Sequence, residues 1–361
     1  MKFADISGLE DVKERLIGAV NSNHIAHAQL FLSKNGGSNL PLALAYATYL
    51  NCEQPVDNDS CGTCPSCSKN AKYVHPDVHF VFPVSSTKSI TGKDVVSTNY
   101  LPDWRKFLIE NPYRSLNEWA NTYGGENKQA NISKEESRQV IKHLSLKAFE
   151  GKYKVMIIWL PEYMNSSAAN GILKILEEPP EGTVFFLVCN DDEKLLTTIL
   201  SRTQIVKIRP LVDTEMSTLL MDKFGVEEVK AKHIAYLANG NVDEAFAMLD
   251  SEENESQGLF KEWMRMCFKR DFGAMVLMAE DFHKMNKIDQ KNLLQYGIST
   301  MREALITNLE VHEVVKVTGE EKAFVENFGK VLDADKVIDV SEQLNEALYH
   351  LERNASPKIT F

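Results

Sequence analysis

Four cysteines stand close together, Cys52, Cys61, Cys64 and Cys67, with eight, two and two residues between them. Two overlapping Cys-x2-Cys steps let thiolates converge on a tetrahedral ion from one tight loop, and Gly62 and Pro65 suit that turn. The pattern predicts a closed zinc shell whose task is structural. A thiol redox pair and incidental free cysteines are the alternatives, and His75 and His79 stand near enough to substitute as ligands. Cys189 falls in a predicted buried strand and Cys267 in a predicted helix, so both read as core residues.

These groups need elements to hold them. His27 to Leu32, residues 76–82, Val155 to Trp159, Val184 to Cys189 and Ile205 to Ile208 are short apolar runs that read as strands, several buried on both faces. A helix follows Trp159, with Asn165 as its cap and Ala168, Ala169, Ile172, Leu173 and Leu176 on one face, before Glu177-Glu178-Pro179-Pro180 stops it. Strand, helix and strand then form a right-handed parallel unit. A short helix over Leu195 to Leu200 exposes Arg202 at its end, where by spacing alone it complements the helix's negative pole. Ser133 with Glu136 three residues on is a capping box that starts a helix running to about Lys147. Residues 83–129 are polar, irregular and spotted with aromatics. Trp104, Phe107 and Leu108 at helical spacing mark them as a packed insertion.

The run from Ser167 to Pro180, SAANGILKILEEPP, with Asn190 and Leu195 to Gln204 behind it, resembles the signature of bacterial clamp-loader subunits, AAA+ proteins of the DNA polymerase III holoenzyme. Within that family the chain is most similar to the delta-prime branch, over roughly residues 5 to 250. The resemblance implies an α/β, AAA+ P-loop-type domain with a parallel sheet over residues 1–210, carrying the zinc module (52–67) and the insertion (83–129). A small helical lid domain over 211–250 and an all-α collar for oligomerisation over 259–361 would complete the chain, with the acidic SEENESQG at 251–258 as a linker. The close at Pro357 to Phe361 leaves an apolar segment unfinished, as in a trimmed chain.

The family's catalytic positions are altered. An active relative follows its first strand with Gly-x4-Gly-Lys-Ser/Thr, whose amides, lysine and hydroxyl hold phosphates and magnesium. Here Ser33, Gly36 and Ser38 lead to Asn39 at the lysine position and Leu40 at the hydroxyl position, and the glycine pair reads equally as a plain turn. The strand that should end in paired acids ends in Trp159-Leu160, and Glu162 beyond it reads as a surface or helix-entry acid. The sensor-2 segment, Ala238 to Ala245, has Glu244 where active relatives carry arginine. The resemblance therefore implies a subunit that hydrolyses no ATP but offers Arg202, in Ser201-Arg202-Thr203, as an arginine finger to a neighbour's ATP. Its implied partners are gamma or tau and delta subunits, a sliding clamp and primed DNA.

Composition bounds the alternatives. With 361 residues, 43% apolar and 25% charged, the chain can bury two or three cores. No apolar run nears the roughly 18 residues of a membrane span, and the opening MKFADISGLEDVKERL has no signal-peptide core, so a cytoplasmic location is expected. The net charge of -11 falls wholly on residues 211–361. That balance disfavours a stand-alone zinc-dependent nucleic-acid binder, while the four altered positions disfavour a self-sufficient ATPase.

Overall fold

The computed structural model describes residues 1–34, 36–125, 128–249, 253–285, 287–308, 319–329, 332–352 and 355–360. The chain divides into two compact units, Met1–Lys232 with Asn239–Asp243, and His233–Ala238 with Glu244–Phe361.

The first unit is built on five parallel strands: β1 (Ala28–Leu32), β2 (Val78–Val81), β3 (Lys154–Trp159), β4 (Thr183–Cys189) and β5 (Gln204–Lys207), in the order β2-β3-β4-β1-β5. Every residue of β3 and β4 is buried, as strands covered on both faces require. Alternation along β4 divides its side chains. Phe185, Leu187 and Cys189 join the core under α6 (Lys134–Ser145) and α7 (Ser166–Glu177), while Phe186 stacks on Tyr46 of α2 (Asn39–Leu50) at 5.1 Å. All twelve residues of α2 are buried, so its apolar character all round matches its place. Asn165 caps α7 by accepting from Ala168 N at 2.8 Å.

Around this frame lie α1 (Glu10–Asn21), α3 (Pro65–Ala71), α4 (Leu101–Glu110), α5 (Leu116–Tyr123), α8 (Thr197–Leu200) and α9 (Asp213–Phe224). Within the insertion, α4 and α5 meet on fully buried Trp104 and Trp119. Trp104 lies 4.2 Å from Phe82 and 5.0 Å from Trp159 between ring centroids, and Trp119 Nε1 donates to Pro83 O at 2.8 Å. Trp159, the last residue of β3, is thus the floor on which the insertion packs.

The expected capping box at Ser133 does not form. Ser133 is the N-cap of α6 but makes no side-chain cap bond. Glu136 turns inward instead, 2% exposed, and accepts from Ser97 N at 2.7 Å. A carboxylate that can reach either its own cap amide or an insertion amide goes where the buried amide would otherwise lack a partner. Burial holds the Glu136 carboxyl up at about 7 against the pull of the Ser97 amide. Because the folded pKa lies above the ordinary carboxyl value of 4.5, the protonated form's stabilisation is complete below about pH 4.5 and is lost as pH rises through 7. Glu136→Gln keeps the shape and the acceptor. It is expected to leave stability near pH 4.5 almost unchanged and to raise it by about 3 kcal/mol at pH 8, read as the shift in denaturant midpoint. An equal effect at both pH values would contradict this.

The second unit is helical. From α10 (Glu228–Ala238) and α11 (Val242–Leu249) it takes the last and the later residues respectively, then continues through α12 (Glu253–Lys269), α13 (Phe272–Lys284), α14 (Lys287–Asn308), α15 (Gly319–Gly329), α16 (Ala334–Glu352) and α17 (Pro357–Thr360). Its core gathers Phe260, Phe282, Leu293, Leu294, Met301, Val325, Val337 and Leu344. A Cβ on Gly297 would stand 2.6 Å from Phe260 and 3.1 Å from Leu344, so glycine lets α12 and α16 close on α14.

Two expectations change here. The linker over 251–258 begins outside the described residues, and from Glu253 the chain is already α12, since no proline or glycine pair interrupts it. Cys267, read as core, is exposed, with Met275 Sδ at 3.7 Å. Phe268, the next residue of α12, is 73% exposed as well. Periodicity marks a face but does not say that the face is covered.

Candidate functional site

The four cysteines converge. Their Sγ atoms all lie within 4.8 Å of one another, and Cys61 Sγ is 3.9 Å from Cys67 Sγ. Zinc–sulfur bonds of about 2.3 Å place the corners of a tetrahedron about 3.8 Å apart, so the set fits one zinc ion with four thiolates and no open position. Backbone amides already point at the sulfurs: Cys61 N donates to Cys52 Sγ at 3.2 Å, Cys64 N to Cys61 Sγ at 3.3 Å and Cys67 N to Cys64 Sγ at 3.4 Å. The amides of Thr63 and Cys64 draw the Cys61 thiol down to about 6, whereas burial pushes Cys52 and Cys67 up. A bound cation would convert all four to thiolate. His75 and His79 take no part in this cluster. His75 Nδ1 accepts from Asp77 N at 3.2 Å, and His79 stacks on His143 at 5.0 Å.

The loop after β1 meets the ends of β3 and β4 at the carboxyl edge of the sheet, where open α/β folds bind ligands. Here that edge is filled by the protein itself. Asn39, 4% exposed, donates through Nδ2 to Cys189 O at 3.0 Å and to Asn190 Oδ1 at 2.8 Å. Leu40 is 2% exposed and Ser38 is buried behind it. Gly36 adopts φ +71°, and a Cβ there would come within 1.7 Å of Asn241 Oδ1. Val242 N also donates to Gly36 O at 2.8 Å, so residues 241 and 242 lie directly over the glycine. Beneath Gly37, a Cβ would meet Ser33 Oγ at 2.1 Å, and that hydroxyl donates to Lys34 O at 2.9 Å.

Glu162 stands at a helix entry, one of the two places expected for it, but half-buried rather than on the surface. Leu160 turns the chain left-handed at φ 55°, and the 3-10 turn Pro161–Tyr163 brings Glu162 back to accept from Asn190 N at 2.9 Å. Burial raises its carboxyl pKa. Glu162, Asn190 and Asn39 therefore form one polar chain across the carboxyl ends of β3 and β4. Glu244 lies on α11, half-buried, in the second unit.

Arg202 lies at the end of α8 with its side chain 31% exposed. Nε donates to Glu177 Oε2 at 2.9 Å, and Nη1 donates to Thr198 O at 3.0 Å and to Ser201 Oγ at 3.4 Å. Glu177 is the last residue of α7, so the EEPP ending also steadies this arginine. Nη2 has no partner among the described residues. Nε and Nη1, on opposite edges of the guanidinium, are thus engaged within the chain, and Nη2 between them is the arm left over.

A family model described as DNA polymerase III, delta subunit matches residues 8–212. The DNA polymerase III subunit delta' of Yersinia pestis is 30% identical over 190 residues, 52% of this chain and 43% of that protein. The subunit tau/gamma of Haemophilus influenzae is 24% identical over 253 residues, 69% of this chain and 30% of that protein. The chain thus spans under half the length of these two relatives. A solved gamma subunit-related protein of Thermotoga maritima aligns over 97% of this chain and 96% of its own, with TM-score 0.41 and 16% identity.

Proposed function

Since the chain belongs to the DNA polymerase III delta-subunit family, matched across residues 8–212, we propose that it is the delta-prime subunit of a clamp loader and hydrolyses no ATP of its own. The observation that carries this reading is the filled carboxyl edge of the sheet. The lysine and hydroxyl positions hold buried Asn39 and Leu40, and Asn39 is tied to Asn190 and Cys189. Without that lysine and hydroxyl, and without paired acids at Trp159-Leu160, nothing neutralises phosphate charge or positions magnesium and water. Its partners on this reading are gamma or tau and delta subunits, with the sliding clamp and primed DNA reached through the assembled loader in the cytoplasm. Residues 211–250 serve as a lid and 259–361 as the collar through which the ring forms. Among the described residues no helix is long and apolar enough to cross a membrane.

Zinc on Cys52, Cys61, Cys64 and Cys67 is structural in this account, because a closed thiolate shell leaves no position for substrate. Arg202 is the group by which a non-hydrolysing subunit still acts on phosphoryl transfer, at the ATP of the subunit beside it. The negative balance of the chain sets it apart from a lone nucleic-acid binder.

The isolated chain is expected to show no steady ATP turnover. The check is phosphate release with magnesium and millimolar ATP, for the wild type and for Asn39→Ala. Turnover at the rate of an active loader subunit, abolished by substitution within residues 33–40, would overturn the reading.

A further inference from the structure

The residues that open the chain are fastened to the cysteine loop. Between Cys52 and Cys61 the backbone doubles back, with Val56 and Asp59 exchanging amide bonds at 2.9 Å. The turn leaves Asp59 facing the opening segment. Asp59 Oδ1 accepts from Phe3 N at 3.1 Å and Oδ2 from Ala4 N at 2.9 Å, while Oδ1 also accepts from Ser60 N at 2.6 Å. Phe3, 3% exposed, is thereby set between Tyr46 and Tyr49 of α2, with ring centroids 6.3 and 5.7 Å away. On the far side of Cys61, a Cβ on Gly62 would meet the Lys2 stem at 3.4 Å.

The same segment ends on α9. Gly8 and Leu9 are both left-handed, φ 65° and 61°, a conformation that a buried leucine holds only when its surroundings fix it. Leu9 N donates to Glu215 Oε1 at 3.2 Å, and a Cβ on Gly8 would stand 2.2 Å from the Glu215 carboxyl carbon. Arg209 grips that carboxylate with two bonds, of 2.7 and 2.8 Å. Residues 2–9 are therefore one strap, pinned by Asp59 at one end and by Glu215 at the other.

We propose that the metal at the four cysteines is a latch for this strap: by fixing the loop that carries Asp59, it holds Lys2–Ile6 on α2 and, through them, the Gly8–Leu9 turn against Glu215 of α9. The inference rests on the structural-zinc reading. A carboxylate two residues from a metal ligand has its position set by the shell, whereas in an open loop it is free to leave both amides. Two amides and a strained turn lose their partners together when the loop relaxes.

Hydrogen exchange on the full chain, read on peptides covering residues 2–9 and on β3 and β4 as internal reference, tests this in three states: zinc-loaded, chelated, and Asp59→Ala with zinc retained. Metal analysis of each state reads the zinc assignment separately. Chelation should speed exchange at Phe3, Ala4 and Leu9 by about fivefold, the factor for a lost hydrogen bond of ordinary net strength. Asp59→Ala, still holding one zinc per chain, should do the same while the sheet stays protected. Unchanged exchange at Leu9 in Asp59→Ala would overturn the strap. Unchanged exchange at Phe3 and Ala4 after chelation would overturn the metal's part in it. A zinc content well below one per chain in the wild type would remove the underlying metal reading, whatever Asp59→Ala does.

Discussion

Replacing Cys64 by serine should cost the chain its zinc and lower the melting temperature of the first unit by 10 °C or more. Structural zinc sites of this type contribute apparent free energies of about 10–16 kcal/mol in small peptides. In a larger unit the sheet and its helices hold themselves, so only part of that is felt. About 5 kcal/mol would shift the midpoint of a domain of this size by about 10–20 °C. The sulfurs fit the role. They converge within 4.8 Å, Cys64 and Cys67 are buried, and Cys64 is also the N-cap of α3, its sulfur accepting from Cys67 N. Serine is itself a preferred N-cap, so Cys64→Ser opens the shell while leaving the helix a cap, and the drop reads the metal. The measurement is metal content with a thermal melt of wild type and Cys64→Ser. One zinc per wild-type chain and a large drop are expected. A variant that melts with the wild type, or a wild type carrying far less than one zinc, would contradict the assignment.

Much of the frame was legible because its signals are local. Runs such as Val155 to Trp159 and Val184 to Cys189 are too apolar and too short for anything but strands covered on both faces, and they form the middle of the parallel sheet. Asn165 announced a cap and is one. The cysteine spacing implied convergence, and the sulfurs converge. What was not legible depends on partners distant in sequence. Ser133 and Glu136 spell a capping box, yet Ser97, 39 residues away, takes the carboxylate. Asn39 and Leu40 could be read as losses, but not that Asn39 would bridge to Asn190, 151 residues on. Nothing in a single aspartate such as Asp59 names the amides of Phe3 and Ala4 as its partners. Phe268 shows the opposite limit, since a stripe at helical spacing does not reveal whether another helix covers it.

Arg202→Ala is the substitution expected to damage function most while leaving the fold intact. Its side chain lies at the surface, and the bonds it makes to Glu177 and Thr198 are of the exposed kind that contribute about 0–1 kcal/mol. The fold should therefore barely register the change. Phosphoryl transfer would. Negative charge spreads over the transferring oxygens, and an arginine supplied from a neighbouring subunit stabilises it by factors of about 10³ to 10⁵. Glu177 and the end of α8 hold Nε and Nη1, so the group arrives oriented, with Nη2 unpaired among the described residues. Arg202→Lys keeps the charge but not the planar two-point fork, and should recover little of the loss. A role limited to complementing the end of α8 would instead be satisfied by lysine, since only charge matters there.

The most direct measurement is DNA- and clamp-stimulated ATP turnover by a loader reconstituted from gamma or tau, delta and this chain, comparing wild type, Arg202→Ala and Arg202→Lys, with ring assembly followed by size-exclusion chromatography. Under the arginine-finger assignment, normal assembly is expected in all three, with hydrolysis at the ATP site facing this chain reduced by about 10³ in Arg202→Ala and poorly restored in Arg202→Lys. Normal assembly together with wild-type turnover and clamp loading in Arg202→Ala would contradict it.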